Sequence, residues 1–523
     1  MRTGKWRMPN ERQPVNTALV HHFVFSIFQF SFLIAASLSE NVAIAADTPP
    51  KLVGSASCAT AACHGGLAGH KFVGSEFPIW SARDPHSRAY SVLRNDLSRQ
   101  MAEQLKLPKP AHESAVCLNC HSPATSTDSK WSSISDRAPL AGVDCEQCHG
   151  PAERWLIPHV REQWKTRSVE DKRGFGYQDL SDVLTRANLC ADCHVGSPGR
   201  DVNHDLIAAG HPRLFFELST FHANLPKHWP SEIDAARHPV LPFGSTKSGQ
   251  SGSLLEAKLW AVGQVVAAQR SLELLSHRAA LAKDAPTKWP ELAEWNCFAC
   301  HHDLQSAGWW QGRDPSNRPR GKFAWNSWPY AMLEPLARQT RGPDVSSADS
   351  AMARLRSHFS KPLLPAEAIS HDAAAAAKSL RVWAERLNQT DPMPAPLNDL
   401  SGQRGLGQTE SKEYLLSPEM LDKLTRALVA DEGQRLISRD WDSATQLFLS
   451  LGALQQATIA TRVESTPRET ERDRLIQSVL DSMNETLNFQ SGLRSPRDFA
   501  AQPIDRLQSD LQRLQKLLSV PQP

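Results

Sequence analysis

The chain has 523 residues, enough for two or three domains, and its 58 Lys and Arg side chains nearly balance 56 Asp and Glu, for a formal net charge of +2. It has no basic run, basic stripe or helix-turn-helix signature, so we expect no nucleic-acid partner. Strand signals are scarce, and Pro and Gly divide the first half into loops and short helices. These features predict an all-α fold.

The N-terminus has the three parts of a secretory signal. A basic lead is followed by a mostly apolar stretch over 23–38, and Ala43-Ile44-Ala45 offers a small-residue cleavage site. We therefore predict a cleaved signal peptide over 1–45 and a periplasmic protein, in preference to an N-terminal membrane anchor. Removing 1–45, which holds four basic and two acidic side chains, leaves 54 of each.

All ten cysteines belong to pairs, and a histidine directly follows each pair. The five motifs are Cys58/Cys63-His64, Cys117/Cys120-His121, Cys145/Cys148-His149, Cys190/Cys193-His194 and Cys297/Cys300-His301. This is the attachment pattern of c-type haem, in which two thiols bond the porphyrin and the imidazole becomes the proximal iron ligand. The first motif has four residues between its cysteines instead of two, a longer spacing that multihaem cytochromes tolerate. We predict five covalently attached haem c groups.

Other uses of paired cysteines explain the pattern less well. Structural zinc takes four ligands per ion and does not require a histidine after every pair. Disulfides across two-residue loops are strained, and a thioredoxin-like redox motif would occur once.

The signal peptide and the uneven spacing of the motifs together predict three regions. A signal peptide over 1–45 precedes a pentahaem domain over 46–345, with the first four haems in 52–230 and the fifth in 253–330. A helix starting near Ser253, with Leu255, Leu259, Val262 and Val266 on one stripe, leads to the fifth motif. Six tryptophans surround that motif, and packing against a haem is the favoured explanation: Trp289, Trp295, Trp309, Trp310, Trp325 and Trp328.

The remaining region, 346–523, has no cysteine and is predicted to be helical. Helices are expected around 373–387, from Ser417 and Pro418 onward, around 476–487 and over 504–518, with a linker at 388–412. This tail either packs on the haem domain or presents a face to a partner, and a helical bundle is favoured over a coiled-coil dimer.

Residues 52–230 resemble the tetrahaem cytochrome c-554 family, which accepts electrons from hydroxylamine oxidoreductase. The resemblance lies in Leu52-Val53-Gly54-Ser55, in Trp80 and Asp84-Pro85-His86, and in 142–151 (GVDCEQCHGP) with the later His159. It implies an all-α fold with stacked haem pairs. It also implies that His159 ligates the first haem, that His86 ligates another, and that the second haem, on His121, is five-coordinate.

Three further histidines follow the fourth motif and are placed like distal ligands: His204, His211 and His228. His204 or His211 could close the fifth haem. Met101 is the only methionine between residues 46 and 330, so bis-histidine haems are expected to dominate.

The leading hypothesis for function is electron transfer, because six-coordinate iron passes electrons and leaves no position for a substrate. We expect a redox-protein donor and acceptor, with a quinol-oxidising membrane protein as one candidate donor. The alternative is an oxidoreductase that acts on a small nitrogen or sulfur compound at one open haem.

Overall fold

The computed structural model describes 50–66, 74–123, 142–229, 255–284, 289–297, 300–301, 323–361, 363–389, 416–460, 462, 465–488 and 503–519. The predicted signal peptide, most of the predicted linker at 388–412, and Trp309 and Trp310 lie outside these residues. Within them the fold is all-α, as predicted, and isolated β-bridges pair Ser197 with Arg200 and Trp295 with Trp325. In this part of the chain no helix is both long and apolar enough to span a bilayer.

The helices fall into a region of short elements followed by a region of long ones. The α-helices are α1 (Glu76–Arg83), α2 (Asp96–Gln104), α3 (Ala115–His121), α4 (Cys145–His149), α5 (Glu162–Thr166), α6 (Val169–Gly174), α7 (Val183–His194), α8 (His204–Ala208), α9 (Leu218–Asn224), α10 (Leu255–Ala280), α11 (Leu333–Gln339), α12 (Pro343–Phe359), α13 (Ala366–Asn388), α14 (Pro418–Val429), α15 (Asp431–Arg439), α16 (Trp441–Ala460), α17 (Pro467–Leu487) and α18 (Pro503–Ser519). Short 3₁₀ helices lie at Ser55–Ser57, Pro85–Arg88, Ser91–Arg94, Ala111–Glu113, Pro158–Val160, Leu281–Lys283 and Leu292–Glu294.

Helix α10 is the centre of the main hydrophobic core. It packs along α13 and against α7, α9 and α16, so it is buried on every side. Its predicted apolar stripe is buried, and so are polar residues on its other faces such as Lys258 and Gln264. Gln264 donates to Gln446 of α16 (3.1 Å), and Trp260 Nε1 donates to Ser450 of α16 (2.9 Å). The C-terminal helices therefore pack on the helix that precedes the fifth motif.

The predicted start of α14 is confirmed, whereas α13 and α17 begin earlier than expected, at Ala366 and Pro467. Ser417 caps α14 by accepting from the backbone N–H of Met420, and Pro418 occupies the first helical position. Thr466 and Glu469 form a capping box at the start of α17. The sequence also predicts one apolar stripe each on α14, α17 and α18, and its residues are buried except for the half-buried Ile504: Leu421, Leu424, Leu428, Ile476, Val479, Leu480, Met483, Leu487, Leu507, Leu511, Leu514 and Leu518.

Two helical glycines should respond in opposite directions to alanine. In α10, a Cβ added at Gly263 would lie 2.6 Å from the Cβ of Leu218 in α9, so Gly263→Ala should lower the free energy of unfolding by about 1–3 kcal/mol. In α16, a Cβ added at Gly452 would have nothing within 4 Å, so Gly452→Ala should raise the free energy of unfolding by up to about 1 kcal/mol. Urea unfolding followed by circular dichroism measures both. Equal stabilities would contradict the close approach of α9 and α10.

Candidate haem sites

A cavity of about 1510 Å³ lies among the short helices of the N-terminal region. A pocket for one small ligand measures roughly 300–1,000 Å³, so this cavity exceeds the needs of a single ligand. Its lining includes every cysteine of the first four motifs: Cys58, Cys63, Cys117, Cys120, Cys145, Cys148, Cys190 and Cys193. Large apolar side chains that are otherwise exposed also line it: Val92, Leu97, Val116, Ile157, Val160 and Phe221. An apolar cavity with thiols on its wall suits flat, apolar groups attached through sulfur.

Local sequence brings three of the five motifs to the end of a helix. Helices α3, α4 and α7 all end at the histidine of a motif, His121, His149 and His194. Helix α4 starts with a capping box, in which Asp144 accepts from the N–H of Glu146 (3.0 Å) and Gln147 accepts from the N–H of Asp144 (2.8 Å). Both cysteines and the histidine of the third motif thus lie on one short helix with a capped start.

The thiols of different motifs meet inside the cavity. The Cys58 thiol is within hydrogen-bond reach of Cys145, which lowers the pKa of Cys58, and the Cys120 thiol stands in the same relation to Cys193. Burial raises the pKa of Cys148 to about 12 and that of Cys190 to about 11, so these thiols are protonated at neutral pH. The first and third motifs are therefore neighbours, as are the second and fourth.

Each motif histidine has a second histidine opposite it. The distances between ring centres are 6.2 Å for His64 with His159, 5.9 Å for His86 with His194, 6.3 Å for His121 with His211, 6.4 Å for His149 with His228 and 6.4 Å for His204 with His301. The five partners are the five histidines that the sequence suggested as distal ligands.

This spacing fits two imidazoles on opposite sides of one metal ion. With a metal–nitrogen distance of about 2.0 Å on each side, the ring centres would lie roughly 6 Å apart. In the described part of the chain, no three His, Cys, Asp or Glu side chains converge on a common point as a protein-only metal site requires. A porphyrin supplies four ligands of its own, so two histidines complete its iron.

Hydrogen bonds at Nδ1 orient several of these rings. Nδ1 of His121 donates to the carbonyl of Ala89 (2.8 Å), and a carbonyl oxygen can only accept, so Nε2 carries the free lone pair. The same holds for His159 with Leu156 (2.5 Å) and His211 with Pro212 (2.8 Å). Carboxylates occupy this position for His64, bonded to Glu76 (3.0 Å), and for His86, bonded to Asp84 (2.9 Å).

Burial keeps several of the rings neutral, the form that binds metal. It lowers the pKa of His194 to about 4 and also lowers the pKa values of His121 and His228. His64 differs, because its hydrogen bond to Glu76 raises its pKa.

The fifth motif lies apart from the cavity and is tied to α10. Arg278 near the end of α10 pairs with Asp201 and with Glu294 (2.7 Å), which lies just before the motif. Glu291 accepts from the backbone N–H of His204 (2.8 Å). These bonds hold the start of α8 beside the segment that leads to His301.

A family model described as cytochrome c554 and c-prime matches residues 50–150. The match supports a multihaem c-type cytochrome with a role in electron transfer. No curated protein and no solved structure matches the chain. The matched span contains the first three motifs of the chain, whereas the fourth motif, the fifth motif and the long helices lie beyond it.

Sequence reasoning did not single out Glu146, one of the two residues between the cysteines of the third motif. Its carboxylate is buried and accepts from the backbone N–H groups of Val53 (3.0 Å), Gly54 (2.7 Å) and Ala152 (2.7 Å). It therefore links the segment that precedes the first motif to the third motif. The signal that the sequence offered was an acidic residue inside a haem motif.

Replacing this carboxylate should be costly. Glu146→Gln substitutes an NH₂ group for one acceptor oxygen among backbone donors, and a hydrogen bond to a charged group contributes about 1.5–3 kcal/mol. We expect a loss of at least that size in the free energy of unfolding. Glu153→Gln is the control, because the Glu153 carboxylate accepts from the exposed N–H of Lys51 (2.9 Å), and we expect this change to have little effect. Equal losses would show that Glu146 is not a buried link.

Proposed function

We propose that the chain is a periplasmic pentahaem c-type cytochrome that transfers electrons between a donor and an acceptor redox protein. The observation that carries this proposal is the set of five histidine pairs, each with one motif histidine and one ring opposite it at 5.9–6.4 Å. When bound, the haems supply reversible one-electron chemistry of iron.

In this proposal, each motif's two cysteines would hold one haem covalently and the paired histidines would ligate its iron. The first haem would be held by His64 and His159, the second by His121 and His211, the third by His149 and His228, the fourth by His194 and His86, and the fifth by His301 and His204. The Nδ1 partners orient the rings, and the apolar cavity wall excludes water from four of the haems.

Full axial ligation favours electron transfer over catalysis. The resemblance implied an open second haem, but the ring centres of His211 and His121 lie 6.3 Å apart, a spacing that supports His211 as a sixth ligand. A reductase or oxidase of a small nitrogen or sulfur compound would need one of the five pairs to be broken.

The test is to express the full chain with its leader in a host that matures c-type cytochromes and to analyse the exported protein. We expect five haems per chain by pyridine haemochrome assay and mass spectrometry, cleavage near residue 45, and a wholly low-spin ferric spectrum. A smaller haem count would overturn the pentahaem assignment. A high-spin haem that binds nitric oxide or nitrite would favour the enzyme.

A further inference from the structure

An arginine with a side chain that is only 14% exposed connects the loop that carries His211 to the C-terminal helices. The Arg213 side chain donates to both carboxylate oxygens of Asp442 (3.0 and 2.8 Å) and to Oδ1 of Asn326 (2.9 Å). Asp442 is 0% exposed and lies in the first turn of α16, where a negative charge is favourable. These three residues are called the Arg213 clamp below.

The Arg213 clamp acts on the peptide that orients His211. Nδ1 of His211 donates to the carbonyl of Pro212, and that carbonyl belongs to the peptide bond joining Pro212 to Arg213. The peptide is planar and the proline ring fixes its own φ, so immobilising Arg213 also sets the direction of the carbonyl. The ring of His211 follows the carbonyl.

Aromatic packing supports the same loop from the other side. Phe215 packs edge-on against Trp328 (4.9 Å between ring centres) and Trp441 (5.7 Å), and Trp328 Nε1 donates to the carbonyl of Phe216 (3.1 Å). Trp441 is the first residue of α16. The loop after His211 is thus attached to the beginning of α16 at two points.

Other candidate distal ligands are held by nearby residues. His86 is bonded to Asp84, two positions before it, and His159 to Leu156, three positions before it.

We infer that the C-terminal helices position the sixth ligand of the second haem, by holding His211 opposite His121 through the Arg213 clamp. This inference rests on the proposed function. Arg213 and Asp442 are positioning residues, because they act on the ring of His211 through the Pro212 carbonyl. The long helices thereby decide whether the second haem is closed or open to an added ligand.

The experiment compares Asp442→Asn with Asp473→Asn in the full-length holoprotein. Both changes remove, from a C-terminal helix, a carboxylate that pairs with an arginine. Asp473, however, pairs with Arg462 and is distant in sequence from the His211 loop. Haem content is measured first, and the high-spin fraction of the ferric protein is then read by electron paramagnetic resonance and visible absorption.

We expect five haems in the wild type and in both variants. About one haem in five should be high-spin in Asp442→Asn only. Added imidazole should return that haem to low spin, and Asp442→Glu should restore low spin without it. If Asp442→Asn fails to accumulate, Arg213→Lys gives the same readout, because lysine keeps the charge and loses the paired hydrogen bonds.

Several results would overturn the inference. They are a wholly low-spin Asp442→Asn or Arg213→Lys protein, an equal high-spin fraction in Asp473→Asn, and a wild-type protein that already has a high-spin second haem. A haem count below five in the wild type would instead contradict the proposed function, so the two failures are distinguishable.

Discussion

Replacing both cysteines of the fourth motif, Cys190→Ala with Cys193→Ala, is expected to lower the haem content from five to four and to destabilise the protein severely. Both thiols line the cavity, and Cys193 lies beside the Cys120 thiol of the second motif. Truncating a buried Phe or Trp costs about 3–5 kcal/mol, and a porphyrin buries a larger apolar surface, so the loss should be at least that large. Mass spectrometry and thermal unfolding of the exported protein measure the two effects.

The fifth motif provides the matched control. Cys297→Ala with Cys300→Ala also removes one attachment site, but this motif lies outside the cavity and Cys300 is exposed. We expect four haems again, with a clearly smaller fall in the unfolding temperature. Five haems in either variant would contradict thioether attachment at that motif. Equal destabilisation would show that the first four haems do not form a shared core.

Local patterns carried most of what the sequence could predict. A motif, a helix cap and an apolar stripe each involve residues within a few positions of one another, so the all-α fold, the Ser417 start of α14 and the stripe of α17 were predicted and are confirmed. The stripe on α10 was also predicted, but burial on all its faces was not. Ala and Gly on those faces are neutral in a hydropathy pattern and become informative only when neighbouring helices are in place.

The partners of the motif histidines could be shortlisted but not assigned. The sequence suggested the five histidines that the structure places opposite the motifs, because few others follow the motifs at suitable positions. It could not say that His86 faces His194 or that His204 faces His301, since each pair joins segments about a hundred residues apart. Such pairings depend on how the short helices pack, and their role as ligands stays a prediction.

The residues that hold the rings were the hardest to foresee. The carbonyls of Ala89, Leu156 and Pro212 have no side-chain signature, because every residue carries the same group. The pairing of Arg213 with Asp442 spans 229 positions, and an arginine in a loop is by default a solvated side chain. Burial alone distinguishes it, and burial is a property of the folded chain.

Removing a distal histidine should change the spin state of one haem only. His159→Ala takes away the ring opposite His64, and His86→Ala takes away the ring opposite His194. Because each iron would keep only its motif histidine, we expect about one high-spin ferric haem in five for either variant, with all five haems still attached. Electron paramagnetic resonance on protein of known haem content gives the fraction. His277→Ala is the control, since His277 lies on α10 and lines no part of the cavity.

The double variant tests the pairing itself. If His159 and His86 serve different irons, the effects of the two substitutions add, and about two haems in five become high-spin. If both rings serve one iron, or if neither is a ligand, the double variant shows no more high-spin haem than a single variant does. Additive effects, together with no change in His277→Ala, would show that His159 and His86 ligate two different irons, as the ring distances to His64 and His194 predict.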